Sequence, residues 1–332
     1  MIIVEVNGGL GNQVLEYALY LFFKEKRKDV KLANYRMAHS LEKDNPIHQR
    51  KVFLETVFNV SPAEYATDKE VLRFSEYSRS IFSRIRRRIL KIRKRSYVTI
   101  DTLKWDKIAH VHDLYALIPR LKRRLGFKHN ETTSRRVLLM KQLDEISSMK
   151  NAYVIGFYIN LDFLKGIEDK ARAEFTFKNP LDERNQAIAD QMADETEVSV
   201  SIHVRRGDYL KNPARLVLSE NYYVPAMKYF TDRFGSETVH FYVFSDDIPW
   251  CREHFKPDKI TFVDWNTGDD SWKDMQLMSL CKHNITAHST FSFSAAWLNT
   301  NKDKVVICPR RWTTDRPDYD DSVCEGWIVM DN

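Results

Sequence analysis

Cysteine, glycine and proline are all scarce in this 332-residue chain, which carries four Cys, ten Gly and ten Pro. So little Gly and Pro excludes collagen-like and low-complexity chains, and four cysteines are too few for a disulfide scaffold. Cys251, Cys281, Cys308 and Cys324 all fall in the last quarter and show no C-x-x-C spacing. That argues against a zinc site and reads as free, partly buried thiols of a reducing compartment. Long apolar runs are missing too. The densest, residues 17–23, has seven residues, where a membrane-spanning helix needs about 20. The opening Met-Ile-Ile-Val-Glu-Val carries no basic leader and no long apolar segment, so a cytoplasmic protein is expected. Nor is one sign of charge in large excess. With 52 Lys+Arg against 46 Asp+Glu, the net charge of +6 tilts the field toward anionic partners without singling out nucleic acid.

What is present points to a globular protein. Hydrophobic residues make up 43% and aromatics 12% of the chain, too much for wholesale disorder, and the length allows two domains with separate cores. Residues 2–6 read as a strand, Asn7-Gly8-Gly9 as a turn, and Leu15, Ala18, Leu19 and Phe22 as one face of a helix. Residues 30–33 form a second strand. From 198 onward, strands at 198–204, 239–244, 260–263, near Ile285 and at 304–308 alternate with helices. These helices run from Ser219 to Gly235, from about Trp272 to Cys281, and from about Ser292. Such alternation implies a parallel sheet covered on both faces. The stretch 79–95 carries nine basic residues and no acid, with Ile81, Ile85, Ile89 and Ile92 at helical spacing. It reads as a basic amphipathic helix, either packed on its own domain or resting on an anionic membrane surface.

Four segments carry the chemistry. His203-Val-Arg-Arg-Gly-Asp-Tyr209 sits where the 198–204 strand ends, the edge at which open parallel sheets bind ligands. Period-two geometry puts His203 and Arg205 on one face and Arg206 on the other. Adjacent guanidinium groups suit a diphosphate, whereas the plain alternative is two arginines paired with nearby carboxylates and Asp208 capping a turn. Gly8-Gly-Leu-Gly-Asn-Gln13 lies at the first strand-to-helix turn, where Gly9 and Gly11 let backbone approach a ligand. It fails as a dinucleotide fingerprint, with Val14 in place of the third small residue, and lacks the Lys-Ser/Thr of a P-loop. Phe244-Ser-Asp-Asp247 also ends a strand, where Asp246 suits a ribose, a base edge or a metal. Ser289-Thr-Phe-Ser-Phe-Ser294 opens the last helix, and its hydroxyls either cap that helix or bind phosphate with it. Asp274, near a buried helix face, either accepts hydrogen bonds from a guanine edge or serves the helix dipole.

The order and wording of N-G-G-L-G-N-Q, H-V-R-R-G-D-Y, F-S-D-D and S-T-F-S-x-x-A-A-W-L resemble the α-1,2-fucosyltransferases of glycosyltransferase family 11, bacterial type, from residue 1 to about 312. The chain departs at Val14-Leu15-Glu16, where relatives usually read L-F-Q, and at Phe293-Ser294, where two tryptophans are common. The resemblance implies an α/β GT-B fold, two Rossmann-like domains with parallel sheets facing across a cleft. The expected boundaries are 1–155 for an acceptor-side domain with a basic insertion at about 79–128, and 156–332 for a GDP-sugar domain whose last segment packs back on the first. It further implies a metal-independent, inverting enzyme that needs no cofactor. Such an enzyme moves fucose from GDP-fucose to the 2-hydroxyl of a galactose-terminated glycan, with no nucleic-acid partner and a possible peripheral site on the inner membrane face. Carried over by position, Arg205 resembles a β-phosphate clamp, with Arg206 and Asp246 in the donor site beside it and His203 its neighbour on phosphate or ribose. Asp274 resembles a guanine reader, and Ser289, Thr290 and Phe291 a ribose and phosphate loop. Asn12 is similar to an asparagine placed beside the reacting oxygen. The general base stays open, with Asp208 and Glu16 both available. Two alternatives are a GDP-fucose transferase of other linkage or acceptor, and a non-enzymatic polyanion-binding protein.

Overall fold

The computed structural model describes residues 1–39, 52–75, 99–101, 135–213, 215–312 and 323–332. The basic stretch 79–95 lies outside them. Two compact units emerge, one of Met1–Phe53 with Val60–Ala171, the other of Leu54–Asn59 with Arg172–Asn332. The division falls later than residue 155. Past that strand the 3-10 turn Asp162–Ile167 still belongs to the first unit, with Phe163 edge-on to Phe22 at 5.5 Å. The short segment Leu54–Asn59 belongs to the second unit because Phe58 packs on Phe175 and Asn59 N–H donates to the Thr176 carbonyl at 2.9 Å.

The first unit is built on a parallel sheet of β1 (Ile2–Glu5), β2 (Val30–Ala33), β3 (Thr99–Asp101) and β4 (Ala152–Ile155), in the order β2-β1-β4-β3. Helix α1 (Leu10–Lys26) follows β1 directly. Sequence spacing gives it one apolar face, yet from Leu10 to Phe23 every residue except Asn12 is buried. A helix apolar around most of its circumference is covered around most of it. Lys24 and Lys26 in its last turn meet the negative end of the helix dipole.

The second unit holds a six-stranded parallel sheet made of β5 (Val198–Val204), β6 (Val239–Ser245), β7 (Ile260–Val263), β8 (His283–Ile285), β9 (Val306–Pro309) and β10 (Ile328–Met330). Its order is β10-β9-β8-β5-β6-β7. The closing segment adds an edge strand beside β9 within the second unit's sheet. The helices of this unit include α2 (Glu183–Met192), α3 (Glu220–Phe234), α4 (Ile248–His254) and α5 (Trp272–Leu280). A further one, α6 (Thr290–Leu298), leaves the end of β8. The V-S-V-S-I-H-V pattern of β5 looks half-polar, but Ser199 and Ser201 are as buried as the valines. Their hydroxyls are hydrogen-bonded, Ser199 to the Met192 carbonyl and Ser201 from the Asn284 amide, so both serines are satisfied without water. On the apolar face, Val200, Ile202 and Val204 join Tyr222, Tyr223 and Phe230 of α3 in the core.

The strand order locates the ligand edge. From β5 the chain runs outward through β6 and β7, then returns to place β8 on the other flank of β5. The topological switch point therefore lies between β5 and β8, and the crevice outside their carboxyl ends is where open α/β sheets bind ligands.

Candidate functional site

His203 and Arg205 stand at the end of β5, and His288, Ser289 and α6 at the end of β8, so both flanks of the switch point carry candidate residues. Arg205 forms two ion pairs, to Asp208 at 2.6 Å and to Asp246 at 2.8 Å. Asp246 also accepts the Arg206 backbone N–H at 2.8 Å, so this carboxylate ties the loop backbone to the Arg205 side chain. That explains Gly207. A Cβ there would lie 2.7 Å from Asp246 Oδ2, and any side chain would displace the carboxylate.

Arg206 goes elsewhere. Its Nε pairs with Asp247 at 3.0 Å and its guanidinium lies 4.2 Å from the Trp250 ring centroid. Asp247 in turn caps α4 by accepting from the Trp250 N–H. Arg206 thereby fastens the loop to α4, and Arg205 is the member of the pair that adjoins His203 and Tyr209. Each arginine of R-R-G-D meets carboxylates, as the plain alternative expects, although the Asp208 side chain caps no turn.

His203 is buried and, among the described residues, its Nδ1 has no hydrogen-bond partner. Burial, reinforced by the Arg205 charge, pushes its pKa down to about 3, so the ring is neutral and able to donate or accept. Its backbone carbonyl accepts from the Tyr223 hydroxyl at 3.1 Å, and its ring lies 5.7 Å from Phe291. Ser289 caps α6, accepting from the Phe291 N–H at 3.3 Å, while Thr290 and Phe291 form the helix's first turn. The capping reading of this segment holds, and it leaves the positive end of α6 at the switch point.

Asp274 lies in the first turn of α5, farther along the same unit. Burial raises its pKa to about 7, although Asn266 donates to Oδ1 at 2.8 Å. Asn266 is itself held by Asn185 of α2, which receives the Trp265 indole N–H at 3.0 Å. Asn185 and Asn266 are invisible to motif reasoning because they are separated by 81 residues and nothing local pairs them.

Gly9, Gly11 and Asn12 belong to the first unit, at the start of α1. Gly8, with φ of 79°, makes the turn, and Asn12 leaves no room for a Cβ there, the contact being 2.5 Å. Glu16 is buried on the same helix, accepts the Asn7 N–H at 2.7 Å, and is held well above the usual carboxylate range by burial. Glu5, also buried, accepts from the Arg36 N–H at 2.7 Å and from the Tyr153 hydroxyl. Glu16 thereby braces the Gly-rich turn, while Glu5 ties β1 to the segment after β2 and to β4. None of the four cysteines is in a disulfide, and all are buried, more completely than expected. Among the described residues no group of three or more His, Cys, Asp or Glu is placed to hold a metal, and no helix is long and apolar enough to cross a membrane.

Fold and site together define an α/β protein of two parallel-sheet units, the second with an arginine, a neutral histidine and a helix start at its switch point. The sequence model of Glycosyl transferase family 11 matches residues 1–331, and the chain belongs to that family. It is 42% identical over 123 residues to the O-antigen biosynthesis glycosyltransferase WbnK of Escherichia coli, covering 36% of this chain and 40% of that protein. It is 35% identical over 176 residues to an alpha-1,2-colitosyltransferase of Escherichia coli, covering 50% and 58%. With the Homo sapiens galactoside alpha-(1,2)-fucosyltransferase 1 it shares 33% identity over 154 residues, covering 43% and 42%. The chain thus spans about half the length of the curated relatives it matches. Among solved structures, a NodZ alpha-1,6-fucosyltransferase soaked with GDP-fucose aligns at a TM-score of 0.41 and 13% identity, over 90% of this chain and 91% of that one.

Proposed function

We propose that the chain is an inverting α-1,2-fucosyltransferase that moves L-fucose from GDP-β-L-fucose to the 2-hydroxyl of a galactose in an oligosaccharide or lipid-linked surface glycan. The observation that carries this reading is Arg205, beside the neutral His203 and the start of α6 at the switch point, in a chain of glycosyl transferase family 11. In the reaction the bond from fucose C1 to the diphosphate breaks with its electron pair moving to GDP. A bond from the acceptor O2 to C1 forms on the opposite face, and the hydroxyl proton is released. Negative charge grows on the departing diphosphate, and a fixed guanidinium stabilises it most when the bond is breaking. Asp208 and Asp246 aim that guanidinium, Asn12 orients the acceptor, Ser289, Thr290 and Phe291 contact ribose and phosphate, and Asp274 reads the guanine edge. No metal takes part in this scheme.

Incubation with GDP-fucose and a terminal β-galactoside, followed by linkage analysis, tests the proposal. The expected product carries fucose on O2, and its yield is unchanged by a chelator. Fucose on another oxygen sinks the linkage, and abolition by the chelator sinks the metal-free scheme. Colitosyl rather than fucosyl transfer is a second reading, favoured by the overlap with the alpha-1,2-colitosyltransferase on 50% of this chain. Competing the two donors in one reaction separates them.

The Asp274 role has its own pH signature. A carboxylate accepts from the guanine N1–H and N2–H, but a protonated carboxyl loses one of those acceptors. With its pKa pushed up to about 7, Asp274 is mostly protonated at pH 6 and mostly ionised at pH 8. GDP affinity is expected to fall as pH drops through 7, by up to about tenfold per unit. In Asp274→Asn that slope disappears. A slope that persists in the variant assigns the titration to another group.

A further inference from the structure

Two arginines and three carboxylates make up the R-R-G-D and S-D-D cluster: Arg205 and Arg206 against Asp208, Asp246 and Asp247. Before any ligand arrives, every cation of that set is already paired, and a diphosphate adds negative charge to a surplus of it. One more cation stands at the same edge. The Arg215 guanidinium lies 5.2 Å from the centroid of the Tyr209 ring, around which Arg205 lies at 5.7 Å. Tyr209 is fixed, its hydroxyl donating to the His288 carbonyl at 3.2 Å, one residue before the cap of α6. Burial raises the pKa of Tyr209 and lowers that of His288 to about 4, and the positive charge of Arg215 acts on both rings, drawing each pKa downward. Among the described residues no carboxylate lies within ion-pair distance of Arg215. Its backbone N–H is held by the Asn212 carbonyl at 2.9 Å.

We infer that Arg215 is a further diphosphate-binding residue, acting with Arg205 from around the Tyr209 ring at the start of α6. The assignment rests on the proposed GDP-sugar donor and adds a residue to its site. Arg205 must share its donors between a ligand and two carboxylates, whereas Arg215 has none to give up among the described residues. The cation–π contact with Tyr209 at 5.2 Å limits the side chain's freedom before binding, which reduces the entropy lost on contact. The two arginines then match two phosphoryl groups, with the α6 amides beside them. Nothing in the local sequence marks Arg215, an isolated arginine six residues past the motif.

Titration of the full chain with GDP tests this. Arg215→Gln keeps most of the stem on the Tyr209 ring and removes the charge. It is expected to weaken GDP binding about tenfold, the scale of one charged hydrogen-bonded contact, and to flatten the dependence of affinity on salt. Arg215→Lys keeps the charge and stays within about threefold of the parent. The melting temperature is unchanged in both, because the residue is exposed. Parental GDP affinity in Arg215→Gln overturns the assignment. Equal weakening in the Gln and Lys variants also overturns it, since the effect then comes from packing on Tyr209 and not from charge. If the parent chain itself does not bind GDP, the donor reading falls and takes this assignment with it.

Discussion

Arg205→Ala is expected to lower fucosyl transfer by at least about 10²-fold, the loss typical of removing one fixed donor from developing transition-state charge. Two effects combine. The guanidinium that the proposed reaction sets against the departing diphosphate is gone, and Asp208 and Asp246, which it held at 2.6 and 2.8 Å, are left without their cation. Unneutralised carboxylates at a diphosphate site repel the donor, so GDP affinity falls together with turnover. Arg205→Lys is not a conservative replacement here. A single ammonium has no planar fork with which to meet both carboxylates and a phosphate at once. Initial rates at saturating donor, with GDP titrations of each variant, read the two effects separately. Transfer within about threefold of the parent in Arg205→Ala would remove Arg205 from the chemistry and with it the centre of the functional proposal.

Phe230→Ala is expected to cost about 3–5 kcal/mol, the usual penalty for emptying a fully buried aromatic site. Phe230 is 0% exposed in the middle of α3 and sits in the core against β5, β6 and β8. Its ring stacks on His283 at 5.3 Å and on Phe234 at 6.4 Å, and meets Tyr229 edge-on at 5.4 Å. His283 is itself a buried neutral ring whose Nδ1 accepts the Val305 N–H at 2.9 Å, joining β8 to the strand beyond it. A cavity at Phe230 therefore exposes one side of a histidine whose pKa burial holds down to about 4. That histidine adds an acid sensitivity of definite sign. Its folded pKa lies below the unfolded value of about 6.5, so the stability it contributes is present above pH 6.5 and is lost as pH falls toward 4. The deficit of Phe230→Ala measured by denaturant unfolding is expected to be smaller at pH 5 than at pH 8, because the opened site lets His283 protonate without unfolding. A penalty under about 1 kcal/mol would mean that the neighbouring rings collapse into the space.

Much of this protein is legible in short stretches. The strands at 198–204, 239–244 and 260–263 agree with the structure to within a residue, as does the helix from Ser219 to Gly235. In each case the signal is local, an alternation of branched and polar residues or a cap-to-glycine frame, and the physics that produces the element is equally local. The start of α6 is less legible. Ser289 and Ser292 are both hydroxyls near a helix start, and only the Phe291 N–H bonding to Ser289 selects the former as the cap.

Other features depend on partners that are distant in sequence. Arg205 and Arg206 are neighbours with the same chemistry, and nothing in R-R-G-D says which is tied to α4. The answer comes from Asp246 and Asp247, which lie 40 and 41 residues away from the groups they bind at Arg206. They arrive only because β6 pairs with β5 in register, Val204 opposite Ser245. The position of β8 on the other flank of β5 likewise brings His288 and the α6 start beside Tyr209 and Arg215.

By itself the sequence determined the family, the alternating α/β order and the motif residues, since these are written in contiguous strings whose chemistry is local. Only the tertiary structure decided that Arg206 is fastened to α4 while Arg205 pairs with Asp208 and Asp246, that Asp246 requires Gly207, and that Arg215 stands by the same ring as Arg205. Ion pairs and ring contacts between separate strands follow from strand order, and strand order is fixed by the packing of the whole sheet and not by any one segment of it.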